Sequence, residues 1–164
     1  MDSSSPVTGS QLVAKLGVGL ATRDEKLAVA ESCTGGELLA LLSAPAGASN
    51  WLWGGWVVYS NQAKLCLGVA RPVIEEQGAV SRAAVAALCD KAREHSGVAA
   101  SLALSGIAGP EGGAPTKPVG SVWIGASYRE KSREEQQLFH GDRAGIRTQA
   151  CEAALGVLLQ LMYE

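Results

Sequence analysis

The chain has 164 residues, of which 47% are hydrophobic and 18% are charged, and its formal net charge is −2. This size and composition suit one globular domain with a hydrophobic core and exclude a disordered chain. The 14 basic residues form no run among the 16 acidic ones, and no apolar stretch is long enough to span a bilayer, so neither a nucleic-acid partner nor membrane insertion is expected.

Residues 1–9 are small and polar and are predicted to form a flexible tail, which leaves one domain over residues 10–164. The N-terminus lacks the basic and apolar regions of a secretory signal. The four cysteines are far apart and form no C-x-x-C pair, which predicts reduced thiols and a cytoplasmic protein.

In the first half of the chain, apolar residues at helical spacing predict a helix over residues 10–22. The short apolar run 27–30 is typical of a buried strand, and a leucine-rich helix follows and stops near Pro45. A second strand is predicted over residues 56–59 and a short helix over residues 61–67.

In the second half, Pro72 favours a further helical turn, and Ser81 is a plausible N-cap of a helix that Gly97 closes. The charged run after Tyr128 is interpreted as a hairpin connection. The other predicted elements are a strand (99–104), a Gly/Pro-rich loop (106–120), two neighbouring strands (121–128 and 135–139) and a last helix from Arg143.

Helices that interleave with apolar strands indicate a sheet covered on both faces. The final hairpin makes this sheet mixed. The predicted fold class is therefore α/β, a three-layer α/β/α sandwich with a mixed, mostly parallel sheet in a single domain.

The segment Glu31–Gly36 follows the first strand, and ligands gather at such strand ends in α/β sheets. A hydroxyl here, that of Ser32, is exposed on a sharp bend. The N–H groups that follow, those of Cys33, Thr34 and Gly35, are candidates to stabilise an oxyanion. The alternative is that Ser32 or Thr34 only caps the next helix.

The segment Tyr59–Lys64 follows the second strand and places Lys64 about one turn inside a helix, able to point back to the strand end. A lysine that is withdrawn from water has a lowered pKa and can accept a proton. The alternative is an ordinary solvated lysine.

The segment Ser105–Gly113 follows the third strand, and its backbone amides are suited to a phosphate or a ribose. It matches neither a P-loop nor the G-x-G-x-x-G pattern. The alternative is a flexible surface loop.

Other catalytic assignments remain open as minor alternatives. His140 and Asp142 could join Ser32 in a Ser-His-Asp set, although Asp142 also suits the N-cap of the last helix. Cys33 is an alternative nucleophile. His95, at the end of a charged helix, is interpreted as structural, and two distant histidines make a zinc site improbable.

Five segments in order resemble the CinA C-terminal domain family, whose members are nicotinamide-nucleotide amidases. The resemblance covers residues 10–162. The amino-terminal domain of longer family members is not seen in the sequence, so the chain resembles the stand-alone form of the family. It implies hydrolysis of nicotinamide mononucleotide to nicotinate mononucleotide and ammonia, with no metal and no cofactor. The matching segments are 30–36, 59–64, 78–81, 105–113 and 117–120.

The resemblance implies that Ser32 is the nucleophile and Lys64 its base, with Tyr59 as a further catalytic residue that lines the site. Family members often have Glu at position 62 and Thr at position 105, where this chain has Gln62 and Ser105. The residues implied in substrate binding are Ser105, Gly106, Gly109, Gly112 and Gly113, with Arg143 and Arg147 as candidates for the phosphate.

Two other functions stay open. One is a non-catalytic interaction module linked to competence and DNA damage, with Trp51, Trp53 and Trp56 as its partner surface. The other is an amidase that acts on another pyridine nucleotide or a small amide. The tryptophans and the Ala/Leu-rich last helix also favour a homodimer or a larger homo-oligomer.

Overall fold

The computed structural model describes residues 8–164, so most of the predicted tail lies outside the described residues. The first helix, α1, spans Gly9–Thr22 and begins one residue earlier than predicted. Thr8 and Gln11 form a capping box: the Thr8 hydroxyl accepts the Gln11 N–H, and the Gln11 side chain accepts the Thr8 N–H at 2.8 Å. The reciprocal cap places Gly9 in the first turn of the helix.

The remaining described strands and helices follow the predicted order. A short 3-10 helix (Ala48–Asn50) and a π-helical turn (Val73–Gln77) also occur. The elements are β1 (Leu27–Glu31), α2 (Glu37–Ser43), β2 (Leu52–Val57), α3 (Asn61–Leu67), α4 (Arg82–Ser96), β3 (Ala100–Gly106), β4 (Ser121–Tyr128), β5 (Lys131–Leu138) and α5 (Arg143–Tyr163).

The five strands form one sheet in the order β2-β1-β3-β4-β5. Strands β2, β1 and β3 are parallel, and β4 is antiparallel to both β3 and β5. One hydrophobic cluster joins the sheet to α1, α2 and α5, and a second joins its other face to α3 and α4. The predicted three-layer sandwich with a mixed sheet is confirmed.

Strand β1 is buried on both faces because it lies between β2 and β3 in a sheet that helices cover on both sides. Leu27 and Val29 belong to the cluster with α1, α2 and α5, whereas Ala28 and Ala30 belong to the cluster with α3 and α4. Since side chains alternate along a strand, the residue that continues the second series is Ser32. The alternation of side chains along β1 therefore directs Ser32 toward α3.

Strand β2 begins at Leu52, four residues before the predicted start, and ends before Tyr59. The first part of this strand was not predicted because it contains two adjacent glycines, Gly54 and Gly55, and glycine usually weakens a strand. A Cβ at position 55 would collide with the backbone carbonyl of Val29, so close approach to β1 requires the glycine. A register shift opposite Trp53 adds a bulge to this edge strand.

Strand β5 begins at Lys131 rather than at the predicted residue 135. The connection to β4 is only Arg129 and Glu130, and Arg129 adopts a positive φ of 53°. The charged run belongs to the strand itself because β5 is an edge strand with side chains open to water.

The predicted tryptophan surface is only partly correct. Trp51 is 6% exposed and packs against Gly17 of α1, within the core. Trp53 and Trp56 stack with ring centroids 5.1 Å apart, and Trp53 is 45% exposed. Among the described helices, none combines the length and apolarity needed to cross a membrane.

Candidate active site

Ser32 and Lys64 meet at the carboxyl end of the parallel strands. The Lys64 Nζ atom lies 2.9 Å from the Ser32 Oγ atom, although the two residues are 32 positions apart in the chain. Ser32 follows β1 directly, and its N–H donates to the Leu104 carbonyl of β3 at 3.0 Å. The hydroxyl is thus fixed at a strand end, where it faces α3.

Lys64 reaches this point because α3 begins just after β2. The Ser60 hydroxyl caps α3 by accepting the Ala63 N–H at 3.1 Å. Lys64 lies one turn further along, and its side chain extends back toward the strand end, as predicted. Gln62 is exposed and its amide contacts the Cys66 sulfur at 3.6 Å, so it does not line the site.

Lys64 is 1% exposed, so the alternative of a solvated lysine is wrong. Burial lowers the pKa of its ammonium group, and the nearby Cys33 sulfur opposes this shift in part. Besides Ser32, Nζ contacts the carbonyl oxygens of Val58 at 2.9 Å and Tyr59 at 3.2 Å. A neutral amine has two N–H bonds for these carbonyls and one lone pair, which is then left for the Ser32 hydroxyl.

The alternative nucleophile has an unfavourable pKa, and the alternative base lies away from Ser32. Burial raises the pKa of the Cys33 thiol to about 11, which leaves little thiolate at neutral pH. Asp142 caps α5 by accepting the Gly145 N–H at 2.8 Å, and His140 is exposed outside the cavity. His95 contacts the Leu67 carbonyl at 2.9 Å, consistent with its structural interpretation.

Glu31 is a site residue to which sequence reasoning assigned no role. Its carboxylate is fully buried and accepts hydrogen bonds from the Thr34 hydroxyl and the Gly36 N–H, at 2.6 and 3.1 Å. It also accepts the N–H groups of Leu38 and Leu39, at 3.1 and 2.7 Å. Glu31 therefore occupies the positive end of α2 and fixes residues 32–36, here named the serine turn.

Of the three predicted oxyanion donors, only Cys33 lines the cavity, whereas Thr34 is fully buried and Gly35 is also absent from the cavity wall. Among residues 8–164, no backbone carbonyl accepts the N–H of Cys33 or of Thr34. The Gly35 N–H donates to the Ser32 carbonyl at 3.0 Å. The N–H group of Cys33 is therefore the remaining candidate to stabilise an oxyanion in the cavity.

The serine and the lysine open into a cavity of about 260 Å³. Of the predicted residues, this cavity contains Ser32, Cys33, Tyr59, Lys64, Ser105, Gly106, Gly109, Gly112 and Arg143. The other lining residues lie within the segments that the sequence singled out but had no individual role assigned: Asn61, Ala79, Val80, Ile107, Ala108 and Glu111.

The wall formed by Ala79 and Val80 could have been anticipated from the family segment 78–81. The Ser105 hydroxyl donates to the Ala79 carbonyl at 2.6 Å, and Lys117 Nζ donates to the Val80 carbonyl at 2.8 Å. These two bonds fasten the Gly-rich loop across the cavity. The Gly-rich loop is therefore held in place as a wall of the cavity, and the alternative of a flexible surface loop does not describe it.

The two candidate arginines differ in position. Arg143 lines the cavity and donates to the Gly109 carbonyl at 2.7 Å and to the Tyr59 hydroxyl at 2.9 Å. Arg147, one helical turn later, does not line the cavity and donates to the Thr34 carbonyl at 2.7 Å. Gly113 also lies outside the lining, where a Cβ would approach the Val119 N atom at 2.9 Å.

The fold and the site define an α/β protein with a buried serine–lysine pair in a cavity at the strand ends. The CinA C-terminal domain model matches residues 9–162, and the chain belongs to this family. A nicotinamide-nucleotide amidohydrolase PncC of Pseudomonas putida is 40% identical over 157 residues, which cover 95% of this chain and 97% of the relative.

Other relatives carry less specific names. A CinA-like protein of Akkermansia muciniphila is 44% identical over 85% of this chain, but the chain spans only 34% of that relative's length. A solved structure of a CinA superfamily protein from Enterobacter cloacae matches with a TM-score of 0.94 and 31% identity, over 99% of this chain and 96% of that one. The fold is thus shared closely, and many of the relatives are longer proteins.

Proposed function

We propose that this protein is an amidohydrolase that converts nicotinamide mononucleotide and water into nicotinate mononucleotide and ammonia, as a step of pyridine-nucleotide recycling. The observation that carries the proposal is the 2.9 Å contact between Lys64 Nζ and Ser32 Oγ at the wall of the cavity. The similarity to the Pseudomonas putida amidohydrolase over nearly the whole chain supports this choice of substrate.

The first half of the reaction forms an acyl-enzyme. Neutral Lys64 accepts the Ser32 proton while Oγ attacks the carboxamide carbon. The N–H group of Cys33, at the cavity wall, stabilises the negative charge on the former carbonyl oxygen. The Lys64 ammonium then gives its proton to the leaving amide nitrogen, the C–N bond breaks, and ammonia departs.

The second half of the reaction hydrolyses the ester on Ser32. Lys64 is neutral again after the loss of ammonia, and it accepts a proton from the incoming water. The hydroxide attacks the acyl carbon, Ser32 leaves with the proton that Lys64 returns, and nicotinate mononucleotide is released. The residues that perform these steps need no cofactor.

The phosphate of the substrate is assigned to Arg143, the guanidinium that lines the cavity. Tyr59, which accepts a hydrogen bond from Arg143, orients this side chain. Gly106, Gly109 and Gly112 bring backbone into the wall without side chains, which leaves room for the ribose and the phosphate.

Arg143→Met is expected to raise KM for nicotinamide mononucleotide by roughly 10- to 100-fold, because a charge-assisted contact to the phosphate is lost. The change in kcat should be small, since the reacting amide lies at Ser32. Steady-state kinetics measure both values. For nicotinamide riboside, which lacks the phosphate, the same variant should behave like the wild type, and an equal loss on both substrates would refute the assignment.

A substrate panel tests the proposed activity. Ammonia release is measured with nicotinamide mononucleotide, nicotinamide riboside, the dinucleotide and free nicotinamide. The mononucleotide should have the highest kcat/KM. A preference for another member of the panel would indicate an amidase for a different pyridine compound, and no release from any of them would favour the interaction module.

We further propose that the protein is cytoplasmic and forms a homodimer or a larger homo-oligomer. All four cysteines are free thiols, which suits a reducing compartment. Trp53, Val57 and Tyr59 are each at least 45% exposed along the edge strand β2 and its end, which suits a subunit contact. Light scattering that finds only monomers at micromolar concentration would contradict the assembly.

A further inference from the structure

The serine turn is held on the side opposite to Lys64 by α5. Arg147 donates from Nη2 to the Thr34 carbonyl at 2.7 Å, and the same atom lies 3.4 Å from the Glu37 carboxylate of α2. The other Glu37 oxygen accepts the Thr148 hydroxyl of α5 at 2.8 Å. The guanidinium therefore connects α5, the serine turn and the start of α2.

The Arg147 guanidinium is engaged by the protein through Nη2, which contacts the Thr34 carbonyl and the Glu37 carboxylate. Its Nε atom is buried without a hydrogen-bond partner among residues 8–164. The side chain is 30% exposed and absent from the cavity wall. Arg143, one helical turn away, already presents a guanidinium to the cavity.

The Glu31 carboxylate holds the same turn by accepting hydrogen bonds from a hydroxyl and an N–H group of the turn. It accepts the Thr34 hydroxyl and the Gly36 N–H, whereas Arg147 holds the Thr34 carbonyl. A carboxylate and a guanidinium thus fix neighbouring groups of one residue, Thr34. Cys33, the residue of the turn that lines the cavity beside Ser32, lies within the segment that is held in this way.

We propose that Arg147, together with Glu31, is a positioning residue that clamps the serine turn and keeps Ser32 Oγ aligned with the N–H group of Cys33. This inference rests on the proposed role of Ser32 as the nucleophile. It assigns Arg147 to the rate of acylation and not to binding of the substrate phosphate.

The test uses a fluorophosphonate, which reacts with an activated serine independently of any nucleotide. Oγ bonds to phosphorus, fluoride leaves, and the serine proton passes to Lys64. Arg147→Met should slow this labelling of Ser32 by roughly 10- to 100-fold, since a small misplacement of reacting groups has effects of this size. Arg147→Lys, which retains one donor for the Thr34 carbonyl, should recover at least part of the rate.

Arg93→Met is the matched control. Arg93 also donates to a backbone carbonyl, that of Arg129 at 2.8 Å, but lies away from the cavity. Its labelling should equal that of the wild type. Circular dichroism of each variant reports the folded fraction, by which each labelling rate is divided.

Kinetics with nicotinamide mononucleotide complete the test. KM of Arg147→Met should stay within about threefold of the wild type while kcat falls together with labelling. The clamp would be overturned if Arg147→Met were labelled at the wild-type rate or showed a rise in KM alone. It would also be overturned if Arg147→Lys recovered none of the rate, or if the wild type took no label at Ser32. If the mononucleotide is not hydrolysed but labelling follows the expected order, the clamp stands and only the proposed substrate fails.

Discussion

Lys64→Met is expected to lower kcat for ammonia release by roughly 10⁴-fold. Methionine fills much of the same buried space but cannot accept the Ser32 proton or protonate the leaving nitrogen. Steady-state ammonia release from nicotinamide mononucleotide measures the effect. Lys91→Met is the control, because Lys91 lies on α4, pairs with Glu94 and is absent from the cavity.

The same lysine sets the expected pH dependence. Activity requires the neutral amine, so the rate should fall as the pH decreases through the pKa of Lys64 in the folded protein. Burial lowers this pKa below its ordinary value of 10.5, so activity should appear at a lower pH than an exposed lysine would allow. The residual rate of Lys64→Met should lack this limb of the kcat/KM profile. Residual activity within tenfold of the wild type would mean that another group accepts the proton.

Ser32→Ala is expected to lower kcat by roughly 10⁴- to 10⁶-fold, because no acyl-enzyme can form without the hydroxyl. The free energy of unfolding should change by only about 1 kcal/mol, since one oxygen atom and one hydrogen bond are removed. Ammonia release and urea unfolding measure the two quantities. Ser43→Ala is the matched control, because the Ser43 hydroxyl bonds only the Ala40 carbonyl on α2.

A Ser32→Ala protein that is folded and retains more than a few per cent of the wild-type rate would remove Ser32 from the mechanism. The substitution would then leave Cys33 to be tested as the nucleophile, although its raised pKa argues against it. A loss of both activity and folded structure would require Ser32→Gly or Ser32→Cys, which vary the hydroxyl while the turn is retained.

Much of the fold could be predicted because burial leaves a direct pattern in the sequence. Strand β1 is a continuous apolar run, and α4 lies between Ser81 and Gly97, which cap it as predicted. The two edge strands could not be placed well. Strand β2 contains Gly54 and Gly55, and β5 is mostly polar, because the outer side of an edge strand has no packing partner to demand apolar residues.

The candidate site likewise contains residues whose positions could be predicted from the sequence and residues whose positions could not. Ser32 and Lys64 follow predicted strands, and parallel strand ends meet at one edge of a sheet, so their proximity could be anticipated. Arg147 could not be separated from Arg143, since both lie on one face of α5 and only the packing of α5 against the serine turn distinguishes them. The role of Glu31 was not predicted because three of its four partners are backbone N–H groups, which no sequence pattern identifies.

The central claim is that Ser32 carries the acyl group between loss of ammonia and attack of water. Partitioning with hydroxylamine tests it most directly, because this nucleophile competes with water for an ester whichever step limits the rate. The wild type should form the hydroxamate of nicotinate mononucleotide at the expense of the carboxylate, without slower ammonia release. Only the carboxylate at every hydroxylamine concentration, with turnover undiminished, would contradict an acyl-enzyme on Ser32.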